Sequence, residues 1–203
     1  MTLIAPKCTT REEWLETAVS HLRPLFAAID VKLPDVRVSV GWPSKGGTRS
    51  KGKVIGQCWK STVAADGRCQ LFISPILGND PLQLLGVLAH ELIHAADDCD
   101  SGHKGNFAKW AKALGLGGKM TATVVLGDSE LAETLRGIIR ELGEYPHSPL
   151  NYEELELVGG EKKQTTRMLK LEAPCCGYIA RTTQKWLDVG VPSCPCGNEM
   201  EIV

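Results

Sequence analysis

The segment 79–96 constrains the fold most, because it carries the most complete helix signature in the sequence. Asp80 can cap a helix, Pro81 suits its first position, and Gln83 completes a capping box. An apolar run follows, formed by Leu84, Leu85, Val87 and Leu88. The pattern predicts a helix that begins at residue 81 and ends near residue 96.

The same helix contains the run His90-Glu91-Leu92-Ile93-His94. Residues four apart share a helix face, so His90 and His94 can direct their imidazole rings at one metal ion. Glu91 lies about 100° further around the helix, where it can reach a metal-bound water without binding the metal. These roles are those of an H-E-x-x-H zinc peptidase, in which Glu91 is the general base. The alternative is two partly buried histidines and a solvated glutamate.

A catalytic zinc needs a third protein ligand and an open coordination position. His103 is the favoured candidate, because the segment after His94 can turn the chain back and Gly102 helps that turn. The sequence leaves other third ligands open, namely Cys99, Asp97, Asp98 and Asp100. Asp97 and Asp98 can alternatively orient a ligand histidine through a hydrogen bond.

The segments before this helix predict an α+β domain. A capping box at Thr9 and Thr10 and an apolar stripe predict an amphipathic helix over residues 10–30. Alternating valines predict a strand over 36–40. Residues 54–59 and 69–74 are strand-like and flank a turn at Asp66-Gly67, which predicts a hairpin. Together these segments favour a small, mainly antiparallel sheet.

Two more helices are expected after the histidine motif. Asn106 can cap one that ends at Gly115, and Asp128 can open another that ends at Gly143. Tyr145 and His147, which follow the last helix, are weak candidates for stabilising an oxyanion near the metal.

The chain is therefore predicted to have three parts: a domain over 1–145, a linker over 146–164, and a small module over 165–203. The linker is expected from its prolines, glycines and polar residues. The last part is short-stranded and bears half of the eight cysteines in the sequence.

Cysteines in the last part are grouped as in a zinc ribbon. Cys175-Cys176-Gly177 is followed, after 17 residues between the clusters, by Cys194-Pro195-Cys196-Gly197. The pattern is imperfect, because the first knuckle has Ala173 where a cysteine is usual and the second is one residue short. Cys176, Cys194 and Cys196 are the expected ligands, with Cys175 as a strained fourth. The alternative is a degenerate ribbon that folds without metal.

Composition and charge limit the partners of the chain. Its 203 residues carry a formal net charge of −1, so no overall basic field attracts nucleic acid or membrane. The N-terminus lacks the apolar region of a secretory signal, and no apolar run approaches the roughly 20 residues of a membrane span. We expect a cytoplasmic protein without a membrane partner, whose cysteines are ligands or thiols. One acid-free basic segment offers a contact to DNA through Lys45, Arg49, Lys51, Lys53 and Lys60.

The run from His90 to Ala95, followed by His103-Lys104-Gly105-Asn106-Phe107, resembles the SprT-like family of zinc metallopeptidases, which includes Spartan. That family has H-E-x-x-H followed by a third histidine with an aromatic residue four positions on, and His103 and Phe107 match this spacing. The glycine is displaced by one position, to Gly105, and the preceding loop is shorter than in many members. The chain would be a small, phage-type member with a zinc-ribbon-like module.

The resemblance implies a zincin-like metallopeptidase fold and one catalytic zinc held by His90, His94 and His103. It also implies a protein or peptide substrate, bound in extended form along the edge strand of the sheet. For Spartan, the activity is DNA-dependent cleavage of proteins crosslinked to DNA. The other class that the sequence leaves open is a nucleic-acid-binding zinc protein with a vestigial H-E-x-x-H site.

Overall fold

A computed structural model describes residues 8–43, 54–78, 80–151 and 168–203. The chain divides into two compact units, Met1–Val158 and Gly159–Val203, which we call the first and second units. This division falls inside the predicted linker. Residues 152–164 of that linker, and the basic residues Lys45, Arg49, Lys51 and Lys53, lie outside the described residues. The fold is mixed, with five α-helices and three small sheets among the described residues.

Helix α1, Arg11–Ala28, begins at the predicted capping box. The Thr10 hydroxyl accepts a hydrogen bond from the Glu13 amide at 3.1 Å, and the Glu13 carboxylate accepts one from the Thr9 amide at 2.7 Å. The first bond satisfies an amide that the first helical turn leaves without a partner, and the second holds the residue before the capping position. The apolar stripe of α1 is buried, at Trp14, Leu15, Ala18, Val19, Leu22 and Phe26.

The main sheet of the first unit contains β1 (Val36–Val40), β2 (Gly56–Trp59) and β3 (Cys69–Ile73), in the order β1-β3-β2. The antiparallel pairing of β2 with β3 confirms the predicted hairpin. Strand β1 pairs with β3 in parallel, so the expectation of a mainly antiparallel sheet is wrong for β1. An alternating pattern specifies a strand but not its direction, which tertiary packing sets.

Helix α2, Pro81–Ala96, is the central element of the first unit. It begins as predicted, because the Asp80 carboxylate accepts hydrogen bonds from the amides of Leu82 and Gln83 at 3.0 and 3.1 Å. Helix α2 contacts the main sheet and three other helices, and its apolar residues are nearly all buried.

Helix α3, Gly105–Ala113, follows α2 after a short loop. The predicted cap at Asn106 is wrong, because the helix begins one residue before it and Lys104 occupies the capping position without a side-chain hydrogen bond. Phe107 is fully buried. Gly115 adopts a positive φ of 88° just beyond the helix, which is the conformation that ends helices and favours glycine.

Helix α4, Glu130–Leu142, is capped by Ser129 and not by Asp128, which corrects the second predicted cap. The Ser129 hydroxyl accepts a hydrogen bond from the Ala132 amide at 3.1 Å. Both residue types cap helices well, so composition alone did not separate these neighbours.

A hairpin that was not predicted joins α3 to α4. Its strands are β4 (Leu116–Lys119) and β5 (Ala122–Val125). The segment Thr121–Val125, in which four of five residues are β-branched, is the signal that indicates a strand here. Strand β5 lies against α2 at Gly86, where an added Cβ would stand 2.7 Å from the Val125 side chain. Glycine in the middle of α2 therefore allows the hairpin to approach the helix.

Residues after α4 remain packed on the first unit. The Trp14 indole donates a hydrogen bond to the Gly143 carbonyl at 3.2 Å, and its ring meets that of Tyr145 edge-on at 5.0 Å. The Leu150 amide donates to the Pro75 carbonyl at 3.0 Å. The beginning of the predicted linker therefore lies against this unit.

The second unit is a small antiparallel sheet with a short helix. The strands β6 (Leu169–Glu172), β7 (Ile179–Thr182) and β8 (Glu201–Ile202) have the order β7-β6-β8, and helix α5 is Gln184–Leu187. Among the described residues of this unit, the buried apolar cluster consists of Leu171, Ala173, Cys194 and Met200. Such a core is small for an independent unit. Among the described residues, no helix of either unit has the length and apolar character needed to cross a membrane.

Replacing Trp14 by alanine is expected to destabilise the first unit by about 3–5 kcal/mol, because it removes a fully buried ring and leaves a cavity. The measurement is urea unfolding followed by circular dichroism at the helix band. Trp186→Ala is the matched control, since Trp186 is 59% exposed and its loss should change stability by less than about 0.5 kcal/mol. Equal effects of the two substitutions would contradict the assigned core.

Candidate metal centre and cleft

Three histidine side chains converge in the first unit. The Nε2 atom of His103 lies 3.2 Å from that of His90 and 3.2 Å from that of His94. Nitrogen ligands of a tetrahedral zinc stand about 3.3 Å from one another, given zinc–nitrogen bonds of about 2.0–2.1 Å. The spacing therefore suits a metal ion, and the three residues form one of two candidate metal-binding groups among the described residues.

The loop between α2 and α3 places His103 opposite the helix. It begins with hydrogen bonds from the Asp98 amide to the Ala95 carbonyl at 3.2 Å and from the Cys99 amide to the His94 carbonyl at 2.7 Å. Asp98 and Cys99 have φ values of 52° and 61°, in the left-handed region that usually favours glycine. This helix-ending motif turns the chain back, and His103 consequently faces the two histidines of α2.

The Phe107 ring packs against all three imidazole rings. Its ring centroid lies 4.7 Å from that of His90, 4.4 Å from that of His94 and 5.0 Å from that of His103. Because Phe107 is fully buried in α3, it restricts the rotation of all three rings. The aromatic residue four positions after His103 therefore has a physical role in the cluster.

Thr123 of β5 orients His90, and sequence reasoning did not identify it. The Thr123 hydroxyl lies 2.8 Å from Nδ1 of His90, which leaves Nε2 directed at the other histidines. Hydrogen bonding at the second ring nitrogen is how proteins fix a metal-binding imidazole. The contact joins residues 33 positions apart, so no local pattern signals it.

Burial keeps the imidazoles neutral. It lowers the pKa of His90 to about 3, helped by the neighbouring His94 and His103, and lowers the pKa of His94 to about 4. The pKa of His103 is also lowered by burial. Neutral imidazole is the form that binds zinc, so the cluster is ready to accept a cation at neutral pH.

Glu91 is buried beside the histidines, with only 5% of its surface exposed. Burial raises the pKa of its carboxyl group to about 8, with a smaller contribution from Cys99. Strand β2 lies directly against this side chain, because a Cβ added to Gly56 would collide with the Glu91 carboxylate and stand 2.8 Å from the Val87 side chain. Gly56 is a second contact that sequence reasoning missed, although an isolated glycine in a strand can indicate such an approach.

A cleft of about 560 Å³ opens over the three histidines and Glu91. One wall is formed by residues 54–58, which include most of β2, and the other by residues 121–124 of the β4–β5 hairpin. Strand β2 is an outer strand of its sheet, paired with β3 on one side. The sequence left the identity of the edge strand open, and the structure places β2 there.

The three aspartates that were alternatives to His103 as the third zinc ligand each bind another group. The Asp98 carboxylate accepts a hydrogen bond from the Ser61 amide at 2.7 Å, and Asp100 forms an ion pair with Lys60. The Asp97 carboxylate accepts one from the Ser101 amide at 3.2 Å. Cys99 lines the cleft, but His103 is the residue that joins the two motif histidines in the candidate group.

Tyr145 and His147 are not part of the cleft, which corrects the weak expectation for them. Tyr145 packs against Trp14, as described above, and Nε2 of His147 lies 2.9 Å from the Pro75 carbonyl oxygen. Neither residue lines the space above the histidines.

The second candidate metal group is in the second unit. Sulfur atoms of Cys175, Cys176, Cys194 and Cys196 all lie within 4.8 Å of one another, and those of Cys175 and Cys194 are 3.4 Å apart. Thiolates around a tetrahedral zinc stand about 3.8 Å apart, given zinc–sulfur bonds of about 2.3 Å. The structure therefore brings together all four predicted cysteines, including Cys175.

Glycines complete both cysteine turns. Gly177 and Gly197 have φ values of 68° and 85°. Their amides donate hydrogen bonds to the carbonyls of Ala173 and Cys194, each at 2.8 Å. Because a side chain would be strained in this conformation, glycine after each cluster lets the chain fold back tightly around the sulfur atoms.

Comparisons of the chain with models of known protein families, with curated proteins and with solved structures find no match. The family resemblance therefore rests on the motif residues alone.

We expect two zinc ions per chain in the wild-type protein, measured by elemental analysis after dialysis. His94→Ala should reduce the content to one, and so should the double variant Cys194→Ser/Cys196→Ser, because each change removes ligands from one group only. His21→Ala is the control, since His21 lies 3.2 Å from Glu141 and is outside both groups. A wild-type content of one would mean that one of the groups folds without metal.

In the metal-free protein, burial of Glu91 is expected to reduce the free energy of unfolding as the pH rises from about 4.5 to 8, whereas the lowered pKa values of His90 and His94 increase it up to about pH 6.5. The folded chain keeps a proton on Glu91 that the unfolded chain releases, since burial raises the pKa of this group from 4.5 to about 8. Glu91→Gln removes this penalty. The free energy of unfolding of the variant, relative to that of the wild type, should therefore increase by up to about 5 kcal/mol between these pH values. Urea unfolding in a chelator at pH 5 and 8.5 measures this change.

Glu16→Gln makes the same chemical change at an exposed position of α1. The difference in the free energy of unfolding between Glu16→Gln and the wild type should be the same at pH 5 and 8.5. A difference in the free energy of unfolding between Glu91→Gln and the wild type that is equal at pH 5 and 8.5 would contradict the raised pKa of Glu91.

Proposed function

We propose that the first unit is a zinc-dependent endopeptidase of the SprT-like type, with a zincin-like fold and Glu91 as the general base. The observation that carries this proposal is the convergence of His90, His94 and His103 beside buried Glu91 at the floor of an open cleft. This arrangement supplies three protein ligands, and the cleft gives access for a water and a substrate.

Zinc, when bound, acts as a Lewis acid on a water molecule and on the scissile carbonyl. The residues of the chain supply the remaining parts of the reaction. Glu91 takes the proton of the attacking water and delivers it to the leaving amine. Burial raises the pKa of this carboxyl group to about 8, and a zinc ion bound beside it would lower that pKa.

The cleft suits a polypeptide in extended form. Strand β2 offers main-chain groups along one wall, and the β4–β5 hairpin forms the other. Main-chain hydrogen bonds to an outer strand bind a peptide with little selection among side chains. The apolar part of the lining includes Val54, Ile55, Val87 and Val124, which favours an apolar substrate side chain near the metal. The proposed substrate is therefore an unfolded protein segment.

Action on DNA-associated proteins is a further part of the proposal, supported by the basic segment that precedes and includes Lys60. Within the described residues, Lys60 itself forms an ion pair with Asp100. Any phosphate contact by Lys60 would therefore compete with this pairing.

A nucleic-acid-binding protein with a vestigial H-E-x-x-H site is the second candidate. The second unit supports it, because Trp186 and Tyr178 are 59% and 50% exposed. The Lys185 ammonium lies 5.4 Å from the centroid of the Trp186 ring. Exposed aromatic rings beside basic side chains are the means by which proteins bind single-stranded nucleic acid.

Glu91→Gln is expected to reduce cleavage of a fluorescently labelled, unfolded protein by about 10²–10⁴-fold while zinc content stays unchanged, because glutamine cannot accept the proton of water. Rates are measured with and without single-stranded DNA. Glu16→Gln is the matched control and should cleave at the wild-type rate, since this residue is exposed on α1.

Wild-type cleavage by zinc-loaded Glu91→Gln would reject the general-base role. A zinc-loaded wild type that cleaves nothing but binds DNA, with affinity that falls steeply as salt rises, would favour the second candidate.

A further inference from the structure

Two cysteines from different elements meet in the wall of the cleft. Cys58 belongs to β2, and Cys99 belongs to the loop between α2 and α3. Both residues line the same cleft. The Cys99 sulfur also lies 3.7 Å from the Cys58 carbonyl oxygen. Neither thiol belongs to either candidate metal group in the part of the chain that the structure describes.

Solvent exposure distinguishes Cys58 and Cys99 from the other cysteines described in the first unit. Cys8 and Cys69 are buried, whereas Cys58 and Cys99 are partly exposed. The Cys69 thiol also has its own partner, the Asp98 carboxylate at 3.3 Å. Cysteines that react with oxidants in solution are accessible and have a second thiol beside them. Within this unit, Cys58 and Cys99 are the pair that meets both conditions.

We propose that Cys58 and Cys99 are a redox modification site, at which a peroxide or a small-molecule disulfide forms a reversible disulfide bond across the cleft wall. With hydrogen peroxide, one thiol is oxidised to a sulfenic acid and releases water. The second thiol then displaces the hydroxyl group as another water, and the sulfur–sulfur bond forms. Two thiols are oxidised in total, and one peroxide is reduced to two waters. A dithiol reverses the reaction by exchange.

The disulfide would join strand β2 to the loop between α2 and α3. Cys58 lies two residues after Gly56, on the same side of β2, and Gly56 is already in contact with the Glu91 carboxylate. Cys99 lies in the loop that positions His103. A disulfide of about 2.05 Å is much shorter than a contact between two thiols. Its formation therefore draws β2 toward the loop.

Because Gly56 already contacts the Glu91 carboxylate, this movement of β2 displaces the Glu91 side chain. The oxidised chain is therefore expected to hydrolyse peptides more slowly. This consequence rests on the proposed peptidase function, whereas formation of the disulfide does not.

The test uses the full chain loaded with zinc and treated with hydrogen peroxide. The sample is alkylated, digested without reduction and analysed by mass spectrometry. We expect a crosslinked peptide that joins Cys58 to Cys99 and disappears after dithiothreitol. Cys58→Ser and Cys99→Ser should each abolish the crosslink, and two variants protect the result if one folds poorly. Cys8→Ser is the matched control, because it removes a buried cysteine of the same unit and should keep the crosslink.

Peptidase rates are measured on the same samples. Oxidation should lower the wild-type rate by about tenfold or more, since a misplacement of about 1 Å at a catalytic group costs up to ~10²-fold. The rates of Cys58→Ser and Cys99→Ser before and after peroxide should be equal. Dithiothreitol should restore the wild-type rate.

Each outcome decides a separate part of the proposal. Peroxide treatment that leaves Cys58 and Cys99 unlinked, or links either to another cysteine, would overturn the site. A Cys58–Cys99 crosslink with an unchanged rate would overturn only the control of hydrolysis. A crosslink in a chain that never cleaves peptides would support the thiol site and reject the proposed function together with its control.

Discussion

Burial of helix α2 is the constraint on which the first unit depends. The helix is enclosed by the main sheet, the β4–β5 hairpin and other helices. Glu91 and His94 are, with Ser74, the buried polar residues of the described chain. Burying ionisable groups is costly unless something compensates. A cation held by the three histidines would supply that compensation, because it would attract the carboxylate and bind neutral imidazoles. The apolar surroundings that stabilise α2 also prepare its polar residues for chemistry.

The cleft depends on close approaches between main chain and helix. Strand β2 touches the Glu91 carboxylate because residue 56 is glycine, and β5 reaches α2 because residue 86 is glycine. Side chains at either position would push a wall outward. A side chain at residue 86 would move the hairpin and with it Thr123, so the orientation of His90 depends on the packing of the hairpin. Gly56 and Gly86 therefore determine how closely the two walls of the cleft approach α2.

The two units are stabilised by different means. The first has an extensive apolar core that includes Trp14, Phe26 and Phe107. The second has a small apolar cluster and four sulfur atoms held within 4.8 Å. A module with so little buried apolar surface commonly needs a structural metal, whose binding energy contributes to folding. Loss of metal should therefore affect the fold of the second unit more than that of the first.

Local patterns in the sequence determined much of the fold. Helical spacing placed His90 and His94 on one face, the caps fixed the starts of α1 and α2, and a turn predicted the β2–β3 hairpin. The four cysteines were identified by their clusters and following glycines. These features extend over a few residues, and periodicity and turn chemistry encode them directly.

Tertiary structure alone decided the remaining features. It made β1 parallel to β3, put β2 at the edge, and brought Thr123 and Cys58 to the cleft. It also selected Ser129 over its equally suitable neighbour as a cap. Each of these outcomes depends on which distant surfaces pack together, and an individual segment carries no local pattern that specifies its partner across the fold.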